Sequence, residues 1–211
     1  MTRPWLIGVT GNIACGKSAV MQRLAELGAT IIDGDLVYRE LTGPGSELVQ
    51  TLAREFGPAI VGSDGSLNRP ALGKIVFSDP RALLTLDQLT HPVILDEVFR
   101  RIATASTDVV ATDGIKLLES GLGDRCDEVW VVACDPAQQR ERLMTRSGYA
   151  AEEANRRIDA QPPASEKIAR ADVVIENNGT LDELRDRVDA AWMESAEKRV
   201  NAGYLPGGYE S

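Results

Sequence analysis

An eight-residue segment near the N-terminus constrains the fold of this chain more than any other feature. Residues 11–18 read Gly-Asn-Ile-Ala-Cys-Gly-Lys-Ser and match G-x-x-x-x-G-K-[ST] at every fixed position. A short apolar run precedes the segment at residues 5–9, and Val20, Leu24 and Leu27 follow it at helical spacing. A buried strand, a glycine-rich loop and an amphipathic helix in this order predict a phosphate-binding loop (P-loop) rather than a turn that binds nothing.

The residue types of the loop suit the phosphates of a nucleotide. The two glycines let the backbone wrap closely around an anion, so that successive N–H groups and the next helix N-terminus point at it. Lys17 adds a charge for the outer phosphates, and Ser18 offers a hydroxyl to Mg²⁺. We therefore predict that the nucleotide contacts Gly11, Asn12, Ile13, Ala14, Cys15, Gly16, Lys17, Ser18 and Ala19.

The bulk properties indicate a soluble globular protein with one core and insertions. The chain has 211 residues, of which 26% are charged and 43% hydrophobic. No apolar run approaches the roughly 18 residues that span a bilayer, and no basic and apolar leader precedes the first strand. Cys15, Cys126 and Cys134 lack the spacing of a metal site or a disulfide framework. We expect a cytoplasmic protein with reduced thiols and no membrane partner.

The charge distribution favours a small anionic ligand over nucleic acid. A net charge of -9 disfavours a sequence-independent nucleic-acid binder, which needs a basic face. Residues 140–170 nevertheless contain seven basic and five acidic residues. A polyphosphate ligand would account for this local excess, and a solvated helical face with i,i+4 pairs is the alternative.

Acidic residues follow two of the predicted strands. Residues 30–33 form a short strand that ends in Asp33, and the carboxyl ends of parallel strands share the ligand-binding edge of a sheet. Asp35 follows two residues later, so the two carboxylates could serve as a base for a hydroxyl and as a Mg²⁺ ligand. Capping of the next helix by one of them is the alternative. Asp113 ends a third strand and is a weaker candidate for orienting Mg²⁺-bound water.

The segment from residue 36 to residue 106 has a helical pattern without strand-like runs. We predict helices over residues 47–56, 70–77, 80–90 and 93–105, the last opened by His91-Pro92. His91 is the only histidine of the chain. A capping or packing role for such a residue is more common than catalysis, and substrate contact is the more plausible functional role.

The remaining pattern completes an α/β fold. Strands are predicted at residues 128–133 and 173–175, with helices at 136–146, 148–161 and 181–201. Five strands, a P-loop and an all-helical segment between two of the strands predict an α/β protein with a helical insertion. We expect a single domain with a core over 1–35, 107–140 and 170–202, an insertion over 36–106, an arginine-rich segment over 141–169 and a loose tail over 203–211.

These residues together resemble the dephospho-CoA kinase family over nearly the whole chain. The matching pieces, in order, are Val9 to Ser18, Ile32-Asp33-Gly34-Asp35, Arg39-Glu40, Pro44-Gly45, Asp64 to Arg69, Val76-Phe77, His91-Pro92, Leu117-Leu118-Glu119, Gln139, Arg142, Arg146, Arg157, Gln161 and Ala171 to Gly179. Their order and spacing are far more specific than any single piece.

The resemblance implies a fold, an activity and a set of site residues. The implied fold is a three-layer P-loop fold with a five-stranded parallel sheet between helices, in which residues 36–106 are a helical substrate-binding insertion and residues 141–169 are a lid. Members of the family use MgATP to phosphorylate the ribose 3'-hydroxyl of dephospho-CoA, the last step of coenzyme A synthesis. By this resemblance Asp33, Lys17 and Arg146 are catalytic, and Asp33 is the base. Arg142 and Arg146 would bind the nucleotide from the lid, and Asn178 would lie near the adenine. The acceptor contacts would come from Thr10, Asp33, Arg39, His91 and Leu117, and metal contacts from Ser18, Asp35 and Asp113.

The chain departs from the family pattern at three positions. Gly34 stands where the family usually has Ala, and Tyr38 where a small residue is usual. Lys116 takes the place of the usual Pro, which leaves the backbone path there unspecified.

Three other function classes are weaker interpretations. A regulatory P-loop switch would need a guanine-reading Asn/Thr-Lys-x-Asp segment, which the chain lacks. A non-catalytic protein of this fold would not need Lys17, Ser18 and Asp33 intact. A kinase for another small acceptor, such as a nucleoside monophosphate, is the nearest alternative.

Overall fold

A computed structural model describes residues 3–114 and 117–204 of the chain. Its strands are β1 (Trp5–Thr10), β2 (Thr30–Asp33), β3 (Val109–Asp113), β4 (Glu128–Ala133) and β5 (Val173–Glu176). They form one five-stranded parallel sheet in the order β2-β3-β1-β4-β5. The central strand β1 pairs with β3 from Trp5↔Val109 to Val9↔Asp113 and with β4 from Ile7↔Glu128 to Thr10↔Val131. The predicted fold class is confirmed.

The helices are α1 (Lys17–Glu26), α2 (Gly34–Leu41), α3 (Glu47–Phe56), α4 (Arg69–Val76), α5 (Pro80–Ala103), α6 (Pro136–Ser147), α7 (Ala151–Asp159), α8 (Ala164–Ile168) and α9 (Leu181–Asn201). Short 3₁₀ turns lie at Pro58–Ile60 and Gly123–Arg125. Within the described ranges, no helix is long and apolar enough to span a bilayer.

The chain divides into two compact units. One contains the described residues up to Ile32 and those from Ile102 onward, and the other contains Asp33–Arg101. In the first unit every residue of β1 is buried, because helices cover both faces of a parallel sheet. Val20 and Leu24 of α1 and Val188 of α9 complete this core.

The second unit has its own apolar core. Leu48, Val49 and Leu52 of α3 lie on one face of the helix and pack with Ile60. Ser46 begins α3 as N-cap, since its hydroxyl accepts the Leu48 N–H at 3.1 Å.

The predicted helix break at His91-Pro92 is wrong, because α5 runs without interruption from Pro80 to Ala103 with Pro92 inside it. An internal proline removes one backbone hydrogen bond and destabilises a helix by about 3 kcal/mol. Apolar burial on both sides of Pro92 offsets this loss. Leu86 and Leu89 pack on the core of the second unit, and Val98 is 1% exposed.

Two smaller differences lie in the predicted lid. Gly148, with φ 67°, ends α6, so the segment predicted as one helix over 148–161 begins only at Ala151. The five-residue helix α8 after Pro162-Pro163 was not predicted. The departure at Lys116 and the predicted tail beyond Tyr204 lie outside the described residues.

Candidate functional site

The P-loop connects the carboxyl end of β1 to the N-terminus of α1. Gly16 is the N-cap of α1 with φ 98°, and no side chain in residues 3–114 or 117–204 caps this helix. The first N–H groups of a helix have no partner within it, and together with the helix dipole they attract an anion. The local structure therefore presents backbone donors to a phosphate group.

Both glycines of the motif are required by close backbone contacts. A Cβ atom at Gly11 would lie 2.3 Å from the carbonyl oxygen of Val132 in β4. A Cβ atom at Gly16 would lie 2.2 Å from Nδ2 of Asn177. Any other residue at either position would displace the loop from the strand ends that support it.

Lys17 and Ser18 occupy the first turn of α1. The Lys17 ammonium lies beside the loop, where Nζ donates to the carbonyl oxygen of Gly11 at 3.0 Å. Ser18 is exposed. The charge and the hydroxyl therefore accompany the backbone donors at the same end of the helix.

Asn177 and Arg142 hold the loop from the side of β5 and α6. Asn177 Nδ2 donates to the carbonyl oxygen of Cys15 at 2.8 Å. Arg142 Nη2 in turn donates to the Asn177 carbonyl oxygen at 2.9 Å and to its Oδ1 at 3.2 Å. The predicted nucleotide residue Arg142 thus also supports the P-loop, through a neighbour that sequence reasoning did not single out.

Two glutamines fix the backbone of Ile13. Gln139 Nε2 donates to the Ile13 carbonyl oxygen at 2.9 Å, and Gln161 Oε1 accepts the Ile13 N–H at 2.7 Å. Both polar groups of one loop residue are therefore satisfied by side chains more than a hundred positions away. The sequence pattern alone gave no role to Gln139 and Gln161, which were named only as parts of the family resemblance.

A buried lysine from α8 reaches the second residue of the loop. Lys167 is 3% exposed, and its Nζ donates to Asn12 Oδ1 at 2.8 Å. Asn12 Nδ2 donates to the Pro162 carbonyl oxygen at 3.1 Å. No carboxylate in residues 3–114 or 117–204 forms an ion pair with this ammonium. Because an unpaired buried charge is unfavourable, an anion bound at the loop would be its natural counter-ion.

Other predicted site residues of the first unit have structural partners. Thr10 is fully buried, and its hydroxyl donates to the Gly114 carbonyl oxygen at 2.9 Å. Leu117 is 1% exposed and packs over Gly8, so its side chain faces the core. Asn178 is exposed, and its Oδ1 accepts the Asp135 N–H at 2.8 Å.

Arg146 and Asp113 lie near the carboxyl ends of α6 and β3. Arg146 is exposed in the last turn of α6, one turn beyond Arg142. Asp113 is half-buried and pairs in register with Val9 of β1. Both positions are compatible with ligand contact from the first unit.

The predicted base Asp33 belongs to the second unit. It is the N-cap of α2, and its Oδ1 accepts the Leu36 N–H at 2.9 Å. Asp35 is exposed in the first turn of α2, so Asp33 and not Asp35 is the capping residue. Within the described residues, no hydrogen bond to the second oxygen, Oδ2, is present, and this oxygen can accept a proton.

Arg39 and His91 are also part of the second unit. Arg39 is exposed on α2. His91 is half-buried within α5, and its Nε2 lies 3.6 Å from Oδ1 of Asp87. His91 therefore neither caps nor begins a helix.

The side-chain oxygens near the P-loop could hold Mg²⁺ only together with phosphate oxygens of a bound nucleotide. Among the described residues, no group of three acidic, histidine or cysteine side chains could hold a metal. Ser18 and Asp113 carry side-chain oxygens in the first unit, and oxygen is the ligand type that Mg²⁺ prefers. Mg²⁺ in nucleotide sites is held by one or two protein ligands together with phosphates.

A parallel sheet whose first strand leads through this loop into an uncapped helix defines the class of P-loop nucleotide-binding proteins. Shikimate kinase from Acinetobacter baumannii shares the fold, with a TM-score of 0.51 and 18% identity over 93% of this chain and 95% of that one. Within the class, the family model for CoaE, dephospho-CoA kinase, matches residues 5–183. The chain belongs to the dephospho-CoA kinase family.

Individual proteins are similar to this chain over most of its length. A dephospho-CoA kinase from Symbiobacterium thermophilum is 45% identical over 190 residues, which is 89% of this chain and 80% of that protein. The crystal structure of TT1252 from Thermus thermophilus has a TM-score of 0.80 and 34% identity over 92% of this chain and 98% of that one. The resemblance predicted from the sequence is confirmed.

Replacing Lys167 by Met should change the affinity for ATP without a matching change in the stability of the fold. The substitution removes a buried cation that has no acidic partner among the described residues, and it also removes the hydrogen bond to Asn12 Oδ1. These two effects oppose each other, so the melting temperature without nucleotide should change little. The Kd for ATP should rise about tenfold, or ~1.4 kcal/mol. Thermal unfolding and calorimetric titration give the two quantities.

Lys74→Met is the matched control, because Lys74 is exposed on α4 of the second unit. It removes the same charge and should change neither quantity. A large fall in melting temperature of Lys167→Met with an unchanged Kd for ATP would show that Lys167 serves the fold alone.

Proposed function

We propose that this protein transfers the γ-phosphate of ATP to the ribose 3'-hydroxyl of dephospho-CoA, giving coenzyme A and ADP. Membership of the dephospho-CoA kinase family over residues 5–183, with every fixed P-loop residue present, is the observation that carries the proposal. The alternative of a nucleoside monophosphate kinase has no comparable support among the relatives.

For phosphoryl transfer the protein mainly has to position the two substrates and to stabilise negative charge in the transition state. The transition state of phosphoryl transfer is loose, and negative charge is spread over the oxygens of the transferred group. The α1 N-terminus and Lys17 supply positive potential from the P-loop. Arg146 is proposed to close over the transferred group from the lid, and Arg142 to contact the nucleotide while it supports the loop.

Asp33 is the proposed base. Its Oδ1 is engaged by the Leu36 N–H, which fixes the orientation of the carboxylate, and Oδ2 would accept the proton of the acceptor hydroxyl. Arg39 and His91 are the proposed acceptor contacts within the second unit. In the first unit, Thr10 and Leu117 are the proposed acceptor contacts, through backbone or packing, since both side chains are buried.

Mg²⁺ belongs to the proposal as the partner of ATP. Ser18 would hold it together with the phosphates, and Asp113 and Asp35 are the further candidate ligands. When bound, the ion neutralises charge on the β- and γ-phosphates. We also propose that the protein acts in the cytoplasm, where ATP is available and thiols stay reduced.

The reaction is tested with wild-type protein, MgATP and a panel of acceptors. Dephospho-CoA should be converted to coenzyme A, and phosphorus NMR should place the new phosphate on the ribose 3'-oxygen. Nucleoside monophosphates form the comparison arm. Phosphate on another atom, or turnover of a nucleoside monophosphate without turnover of dephospho-CoA, would contradict the proposal.

The base is tested with Asp33→Asn. Asn is as good an N-cap as Asp, so α2 and the melting temperature should be preserved. The kcat should fall by roughly 10²-fold or more, because the amide cannot accept the proton, while dephospho-CoA still binds.

Asp35→Asn is the matched comparison two residues away. If Asp35 acts on Mg²⁺, raising the Mg²⁺ concentration should restore its activity and should not restore that of Asp33→Asn. An unimpaired kcat in Asp33→Asn would show that Asp33 is not the base, and it would not contradict the proposed reaction.

A further inference from the structure

Two cysteine sulfurs meet at the P-loop. Cys15 precedes Gly16 in the loop, and Cys134 directly follows β4. The thiol of Cys134 donates to Sγ of Cys15 across 2.9 Å. The residues are 119 positions apart in the sequence, so the fold and not the local chain brings them together.

The surroundings of the pair favour a thiolate on Cys15. The hydrogen bond from Cys134 is the largest cause that lowers the pKa of Cys15, and the charges of Lys17 and Arg142 add to it against desolvation. The same hydrogen bond raises the pKa of Cys134. Cys15 therefore loses its proton more readily than Cys134, which makes Cys15 the better nucleophile of the pair.

The third cysteine has different surroundings. Burial raises the pKa of Cys126 to about 12, and its thiol donates to the Leu122 carbonyl oxygen at 3.3 Å. Cys126 is therefore a structural thiol and a natural internal control.

We propose that Cys15 and Cys134 form a reversible disulfide under hydroperoxide, and that this bond switches off nucleotide binding by the P-loop. The proposal rests on the contact between the two sulfurs and on the position of one of them inside the anion-binding loop. Cys15 is 1% exposed, so the oxidant must be as small as hydrogen peroxide.

The oxidation proceeds in two balanced steps. The Cys15 thiolate attacks one peroxide oxygen, an S–O bond forms as the O–O bond breaks, and the departing hydroxide takes a proton to become water. The Cys134 sulfur then attacks the Cys15 sulfenic acid. The S–S bond forms, the S–O bond breaks, and a second water leaves with the Cys134 proton. Two thiols are oxidised and one hydroperoxide is reduced.

The bond would displace the loop from its supports. A disulfide has an S–S distance of about 2.05 Å, so the two sulfurs must approach each other by roughly 0.9 Å. The carbonyl group of Cys15 is held by Asn177, and Gly16 leaves no space beside the Asn177 amide. Such a displacement would weaken the backbone hydrogen bonds to phosphate, and loss of one hydrogen bond to a charged group corresponds to roughly tenfold to 10²-fold in affinity.

The test exposes the full-length protein to hydrogen peroxide and follows three quantities. Peptide mass spectrometry should find a Cys15–Cys134 disulfide, and the Kd for ATP should rise by roughly tenfold to 10²-fold. Dithiothreitol should restore the original Kd. ATP added beforehand should slow the reaction, because it covers the loop.

Two variants distinguish the pair from general oxidation. Cys134→Ser should bind ATP normally before treatment, form no disulfide and lose the dithiothreitol-reversible change. Cys126→Ser should respond like wild type. The measured quantity is the Kd for ATP, which does not depend on the identity of the acceptor. The test therefore remains valid even if dephospho-CoA is not the acceptor.

Either of two results would overturn the proposal. The first is a loss of ATP affinity in Cys134→Ser that is as large and as reversible as in the wild-type protein, which would show that the disulfide is not the cause. The second is a Cys15–Cys134 disulfide with unchanged ATP affinity, which would show that the bond does not affect nucleotide binding by the loop.

Discussion

The uncapped N-terminus of α1 is the feature on which the rest of the site depends. A helix end without a side-chain cap leaves backbone donors unsatisfied, and such an end is stable at a surface only with water or an anion as partner. The P-loop keeps these donors aimed in one direction because side chains from α6, the turn after α7, α8 and the segment after β5 hold its residues. Lys167, Gln139, Gln161, Arg142 and Asn177 are these side chains.

The sheet and the loop could be predicted from the sequence because each of their parts has a recognisable pattern over a few consecutive residues. Each strand is a short apolar run, and the P-loop is a contiguous motif between two such elements. The supports of the loop could not be predicted in this way. Lys167 is one basic residue among several in its segment, and only the packing of α8 places it against Asn12. Likewise, tertiary burial kept α5 helical through Pro92, where local propensity predicts a break.

The close approach of β4 to the loop has two consequences. It excludes a side chain at Gly11, whose Cβ would meet the carbonyl oxygen of Val132. It also brings Cys134, two residues further along, to the sulfur of Cys15. The packing that gives the loop its shape therefore also places two contacting cysteine sulfurs beside the backbone N–H groups of the loop.

The central claim is that the N-terminal amides of α1 receive the phosphates of ATP. Amide hydrogen exchange of the nucleotide-free and ATP-bound protein tests it most directly. ATP should slow exchange at Gly16, Lys17 and Ser18 more than at any amide of the second unit's core, because bound phosphate oxygens would accept these N–H groups. Unchanged exchange at these three amides under saturating ATP would contradict the account.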